Sequence, residues 1–315
     1  MFKKIERDLI IIQTYQSVNL LFTIMNAHTK NFIVIFIALA SIFFPIKYYT
    51  LLNKKHLEAS NSAKQINIIL KENFDQTEKI LIEIGEEISK KTPDLDLKVI
   101  HDILEKTPIN PIKNIYSWSL FDWVNSSGYQ TVNTVLGIQK NDAPHIAEKR
   151  SYSHRSNELW VMLFSEVAIG IPSAVYIIPV GVQINTKKYP RAGTVATGIN
   201  IKKLMNNVEA GIGENTRFLV IDKRDDKFVL GSVDQEKYVG KFFYDAPGSI
   251  ENENYIFEKE MDPKYPYIIW TGYDSKDFWR EFRKSSLIFI FLFLGIIVFG
   301  IYIKWIMEKR TSSNQ

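Results

Sequence analysis

Arg150 is the residue of this chain best suited to holding a charged small molecule. It lies in a polar, irregular stretch, residues 139–160, together with Glu148, Tyr152, Arg155 and Trp160. A guanidinium fork grips a carboxylate through two parallel charge-assisted hydrogen bonds. Tyr152, Trp160 and Tyr176 are the candidates for the surrounding apolar walls and for a hydroxyl donor. A second reading pairs Arg150 with Glu148 or Glu158 and leaves it to fix the loop; on the residues alone both readings stand. Catalytic chemistry finds less to work with. The histidines, His28, His56, His101, His145 and His154, form no H-E-x-x-H pair, and a chain without cysteine has no thiolate metal site. No serine stands in a G-x-S-x-G setting. Gly211-Ile212-Gly213 lacks the lysine of a phosphate-binding loop and the spacing of a dinucleotide fingerprint. Asp225-Asp226 falls in a turn and reads as solvated. The expectation is a protein with no catalytic centre, no metal and no cofactor.

The elements that position Arg150 follow from periodicity. Alternation over residues 115–124 and 129–137, around the turn Asn125-Ser126-Ser127-Gly128, predicts a hairpin with Trp118, Leu120 and Asp122 on one face. Three more strands are predicted at 162–169, 174–184 and 193–199, then a short helix at 202–208. A smaller unit follows, with strands at 217–221, 227–230, 255–260 and 267–273. Before the strands, Ile66, Ile69, Leu70, Phe74, Ile80, Leu81, Ile84 and Ile88 recur at steps near three and four, which predicts one helix over 53–91 ended by Pro93. A helix that long exceeds what one small domain packs, so it is expected to form a stalk and a dimer seam, the alternative being packing on its own domain. A short helix is predicted at 96–106. The order is that of an α+β protein with antiparallel sheets, not of an alternating βαβ layout.

Two apolar runs frame this region. Residues 286–303 contain no charge and, slightly extended, match a hydrocarbon core of roughly 30 Å. Arg280, Arg283 and Lys284 precede the run and Lys304, Lys309 and Arg310 follow it, placed to snorkel toward headgroups. Phe32 to Ile46, lengthened by Tyr48 to Leu52, predicts a first span near 31–51, with Pro45 and Lys47 at its outer end. No small-x-small site follows it, against a cleaved signal peptide. Both tails carry an excess of basic residues, which places both termini in the cytoplasm. The whole chain has 39 Lys+Arg against 35 Asp+Glu, and no basic block of the kind that neutralises a phosphate backbone, so nucleic acid is excluded as a partner. The expected division is a leader at 1–30, a span at 31–52, the long helix and a membrane-distal unit at 53–210, a membrane-proximal unit at 211–284, a span at 285–305 and a tail at 306–315.

FDWVNSSGYQTVNTVLG (Phe121 to Gly137), Arg150-Ser151-Tyr152, YIIPVGVQI (Tyr176 to Ile184), AGTVATGINIKKL (Ala192 to Leu204), FLVIDKRDDKFVLGS (Phe218 to Ser232) and YPYIIWTGYD (Tyr265 to Asp274) occur in the order of the strands of double Cache sensor domains. The region 55–284 resembles that extracytoplasmic family, found on bacterial histidine kinases and diguanylate cyclases. The resemblance implies a long N-terminal helix packed on PAS-like antiparallel sheet units, flanked by transmembrane helices. It implies a sensory receptor in the bacterial inner membrane, with its ectodomain in the periplasm. It further implies a small metabolite bound at the distal unit with Arg150 and Tyr152 helping to line the pocket, a homodimer in the bilayer, and signalling through the second span to a missing or separate output partner; the carboxylate and the walls of Trp160 and Tyr176 rest on the residue types above. The acidic residue usual before the arginine stands one place earlier, at Glu148, and the proximal unit is trimmed. The family's output domain is not encoded within these residues; a stand-alone sensor, a split or degraded receptor and a partial gene product all stay open. Two other classes stand beside this one: a membrane-anchored assembly protein using the ectodomain as a dimer spacer, and an extracytoplasmic enzyme, which would need a catalytic cluster not found.

Overall fold

Period-two alternation in three long strands builds the central sheet. In the computed structural model of the protein the described residues are 27–106, 116–139, 158–170, 174–212, 216–232, 239–242 and 255–312. Helix α1 (Ala27–Lys91) and helix α2 (Leu97–Lys106) come first. The first sheet then comprises β1 (Trp118–Asn125), β2 (Gln130–Asn133), β3 (Gly137–Ile138), β4 (Met162–Phe164), β5 (Ala168–Ile169), β6 (Tyr176–Ile184) and β7 (Gly193–Asn200). Its order is β3-β2-β1-β7-β6-β4, with β5 also paired to β6, and each pair is antiparallel. Helix α3 (Ile201–Gly211) is capped where Asn200 Oδ1 accepts from Lys203 N at 3.0 Å, and leads to the second sheet. That sheet contains β8 (Arg217–Asp222), β9 (Lys227–Gly231), β10 (Tyr255–Met261) and β11 (Tyr267–Asp274) in the order β10-β11-β8-β9. Helix α4 (Ser275–Ser312) begins at the next residue.

Residues 55–275 form one unit. Ile66, Leu70, Phe74, Leu81, Ile84 and Ile88 lie on one face of α1 and are buried in the core with both sheets. This corrects the dimer-seam expectation for that stripe: the apolar face of the helix is covered by its own domain. The face turned to solvent is mostly polar, with Leu57 and Ile68 as exposed apolar residues. Polar ties run along the lower half of the helix. His56 Nδ1 meets Glu258 Oε1 at 2.5 Å, Thr271 Oγ1 donates to Ala59 O at 2.7 Å, and Lys264 Nζ reaches Asp75 at 2.6 Å and Glu78 at 2.7 Å. Further up, Trp118 Nε1 donates to Thr77 Oγ1 at 2.8 Å. The first sheet approaches the helix closely at Gly85, where a Cβ would lie 2.7 Å from Ile184 Cγ2 and 3.2 Å from Trp160. Gly193 similarly lets β7 pass the buried Trp123 ring, which a Cβ would meet at 2.4 Å.

The other unit is residues 1–54 with 276–315. Within it α1 and α4 carry the two stretches long and apolar enough to cross a membrane. Their outward residues are large and apolar, among them Ile42, Phe291 and Leu292. The stretches meet through aromatic rings: Phe43 stacks on Phe289 at 4.2 Å and Phe36 packs on Phe293 at 4.6 Å. Pro45, read from sequence as marking the outer end of the first span, lies inside α1. A proline removes one backbone donor, which a helix tolerates where neighbouring groups compensate.

Candidate functional site

The first sheet has two unlike faces. Toward α1 it presents Phe121, Trp123, Val132, Ile178, Val180, Val182, all in the main core. The opposite face is built from the alternate residues. One row crosses the sheet through Asn133, Asp122, Ala196, Gly181 and Leu163; the next passes through Gln130, Val124, Thr194 and Gln183. Val124, Ala196 and Leu163 form a small apolar cluster separate from the main core. Beside it are buried polar side chains: Asp122, Gln130, Asn133, Thr194 and Gln183.

Asp122 is 5% exposed, and its Oδ1 accepts from Asn133 Nδ2 at 2.6 Å and from Gln130 Nε2. Residues three apart on a regular strand point to opposite faces. Here the pairing register shifts between Trp123 and Val124, so Thr131 is bulged out and Gln130 and Asn133 both fall on the face of Asp122. Sequence alternation alone cannot reveal this arrangement. Gln183 is 6% exposed, and among the described residues neither its Oε1 nor the buried Thr131 Oγ1 has a hydrogen-bond partner. Unpaired buried acceptors are costly, about 1–3 kcal/mol each, and mark places where a further donor fits. Between Asp122 and Leu163 of β4 the floor is Ala196 and Gly181, a methyl group and a bare backbone. The arrangement offers a carboxylate for a cation, an amide acceptor for a second donor, and an apolar floor of low relief.

The residues picked from sequence are distributed differently. Arg150 and Tyr152 lie outside the described residues. Trp160 packs on the α1 side of the sheet, near Gly85, and its Nε1 donates to Asn185 Oδ1 at 2.9 Å. Its backbone N donates to Gln183 O at 2.9 Å, which fixes it at the C-terminal end of β6. Tyr176 starts the same strand, pairs with Ile169, and packs against the main core. Seven residues at ~3.3 Å each put Tyr176 and Trp160 roughly 23 Å apart along β6, so they do not share one pocket wall. Trp118 is a further correction. A register shift between Trp118 and Phe121 turns its ring toward Thr77 of α1, away from the face of Leu120 and Asp122.

The site is tied to the second sheet by a polar clasp. In the β8–β9 turn, Arg224 Nε donates to Asp222 Oδ1 at 2.8 Å and Oδ2 at 3.1 Å, and its Nη2 also reaches Oδ2. The same guanidinium donates to Phe164 O at 2.6 Å and Ser165 O at 3.3 Å, at the end of β4. Burial acts to lower the Arg224 pKa, but the hydrogen bond and charge of Asp222 outweigh it and raise it. Lys227 bridges Asp225 at 3.0 Å and Glu166 at 3.2 Å, and these bonds raise its pKa too. Among the described residues no convincing catalytic site is present. The metal-like cluster there, His101, Asp102 and Glu105 on α2, is largely exposed.

No protein-family model matches the chain, and no curated protein matches it in sequence. Solved structures match in fold. The ligand-binding domain of the Pseudomonas fluorescens chemoreceptor CtaA in complex with L-isoleucine aligns with TM-score 0.54 at 12% identity, over 74% of this chain and 96% of that one. The ligand-binding domain of Mlp24 with asparagine aligns with TM-score 0.54 at 12% identity, over 76% and 99%. An extracellular ligand-binding receptor from Desulfohalobium retbaense aligns with TM-score 0.48 at 12% identity over 70% of this chain; the chain spans 40% of that protein's length. The described region between the two helices long and apolar enough to span a membrane therefore shares the fold of these ligand-binding domains.

Proposed function

We propose that the chain is a transmembrane sensory receptor of the double Cache type that binds a small metabolite on the face of the first sheet turned away from α1. The observation that carries this reading is the polar set buried there: Asp122 held by Gln130 and Asn133, beside Gln183 Oε1, which has no partner among the described residues. A domain serving only as a spacer gains nothing from burying a carboxylate and amides where its other face buries isoleucine, valine and phenylalanine. An α-amino acid answers the chemistry. Its ammonium suits Asp122 and Gln183, and its carboxylate suits the fork of Arg150, with Tyr152 shielding the pair. The CtaA and Mlp24 domains of like fold carry L-isoleucine and asparagine.

On this reading the ectodomain is periplasmic and both termini are cytoplasmic. Ligand contact with β1, β6 and β7 shifts β4, the Arg224 clasp passes the shift to the second sheet, and β11 runs directly into α4. The receptor acts as a homodimer and hands its signal to an output protein on the cytoplasmic side. A thermal-shift screen of the full chain in detergent against amino acids, organic acids and nucleobases tests the proposal. An amino acid is expected to raise the melting temperature. Arg150→Ala is expected to weaken its binding by about 2–5 kcal/mol, some thirty-fold to several-thousand-fold. No shift with any compound, in a chain that melts cooperatively, favours the spacer.

A further inference from the structure

The first turns of α4 carry a second kind of site. Lys276, Arg280, Arg283 and Lys284, followed by Leu287, Ile288 and Phe291, line a groove of about 570 Å³. Their spacing, in steps of three and four, sets them on one face of the helix. At ~1.5 Å per residue the cations occupy the first ~12 Å and the apolar residues the next ~10 Å. Leu287, Ile288 and Phe291 are each more than half exposed. The acidic residues of these turns are Asp277, which pairs with Arg280 at 2.8 Å, and Glu281; neither lines the groove. The uncharged run begins at Ser285, so the cations stand where hydrocarbon gives way to headgroups.

One groove thus joins a cationic half to an apolar half in the order of a phospholipid. Leu287, Ile288 and Phe291 belong to the spanning stretch and face hydrocarbon, so an anion held by the cations directly above them would have an acyl environment beside it. We propose that this face of α4 holds an anionic phospholipid, its phosphate on Arg280, Arg283 and Lys284 and an acyl chain along Leu287, Ile288 and Phe291. The site is separate from the ligand face of the first sheet and stands whether or not the chain is a sensor.

The test uses the full chain in detergent, exposed to an equal mixture of phosphatidylglycerol and phosphatidylcholine, with retained lipid read by native mass spectrometry. The parent is expected to retain phosphatidylglycerol at least tenfold over phosphatidylcholine. Each neutralised cation should lower that retention about fivefold, so R283Q/K284Q loses roughly twenty-five-fold, and K284Q alone serves if the double variant does not insert. R283K should stay within about twofold of the parent, because a point charge suffices beside a phosphate. K64Q/K79Q, which removes two exposed ectodomain cations, should change nothing. Millimolar inorganic phosphate should not displace the lipid. Equal retention of the two lipids, unchanged retention in the charge-neutralised variant, or full displacement by inorganic phosphate would overturn the proposal.

Discussion

Replacing Arg224 by Ala should cost far more than an ordinary surface substitution. Its partner Asp222 has a side chain only 5% exposed, whereas Arg224 is 38% exposed. Breaking a buried ion pair by removing one member typically costs about 3–5 kcal/mol, since the other charge stays buried. The exposure of the arginine argues for a discount, because solvent screens part of the pair. The carbonyls of Phe164 and Ser165 lose a charged donor as well, although water can replace it at the rim. The net expectation for R224A is about 2–4 kcal/mol. The sharper prediction is one of sign. Asp222→Asn keeps the Oδ1 that accepts from Arg224 N at 3.0 Å but removes the charge. Adding D222N to R224A should therefore restore about 1 kcal/mol. Urea unfolding of the full chain in detergent, followed by Trp fluorescence, gives the four midpoints of the cycle. A loss below about 0.5 kcal/mol in R224A (about a tenth to a sixth of the typical buried-pair cost), or a double variant less stable than R224A, would refute the clasp.

Gln183→Leu should leave stability equal or higher, because a buried oxygen unpaired among the described residues is removed, while weakening ligand binding about tenfold through one lost hydrogen bond; titration calorimetry and thermal melts separate the two effects. Tyr267→Phe should be neutral or stabilising by up to ~1 kcal/mol, since its buried hydroxyl has no partner among the described residues and burial raises its pKa well above the tyrosine range; a lower urea midpoint would contradict this. Burial acts to raise the pKa of Asp75, but the hydrogen bonds from Lys264 and Tyr265 outweigh it and hold it below the usual carboxylate range. A depressed folded-state pKa contributes stability above the unfolded value near 4 and loses it as pH falls through the folded value. The gap in urea midpoint between the parent and Asp75→Asn should hold from pH 8 to 5 and close below about pH 4.

The architecture was legible because burial leaves a plain period. In 176–184 Ile178, Val180, Val182 and Ile184 alternate with Pro179, Gly181 and Gln183 although both faces of the strand are buried, and the helix stripe from Ile66 to Ile88 reads at 3.6. What that stripe packs against was not legible: a lone apolar face is equally compatible with a partner copy and with the chain's own sheets. The candidate site was hidden by two register shifts. One turns Trp118 from the face of Asp122; the other brings Gln130 and Asn133 onto it. A signal was available at Asp122 itself, an acid in the middle of the apolar strand Leu120 to Val124. Trp160 attracts attention as an aromatic at the end of a polar stretch and Tyr176 as an aromatic opening a strand, yet aromatic bulk serves a core as readily as a pocket.

The central claim is that the polar face of the first sheet binds a small cationic or zwitterionic molecule through Asp122. The direct measurement is titration calorimetry of the full chain in nanodiscs with L-amino acids, comparing the parent with Asp122→Asn. The near-isosteric amide keeps the shape and the acceptor for Gln130 and Asn133, so the variant should stay folded. The account predicts saturable binding to the parent, one molecule per chain, weakened by at least thirty-fold in the variant as a buried charge-assisted contact is lost (about 2 kcal/mol or more). Binding of equal strength to both proteins would contradict it.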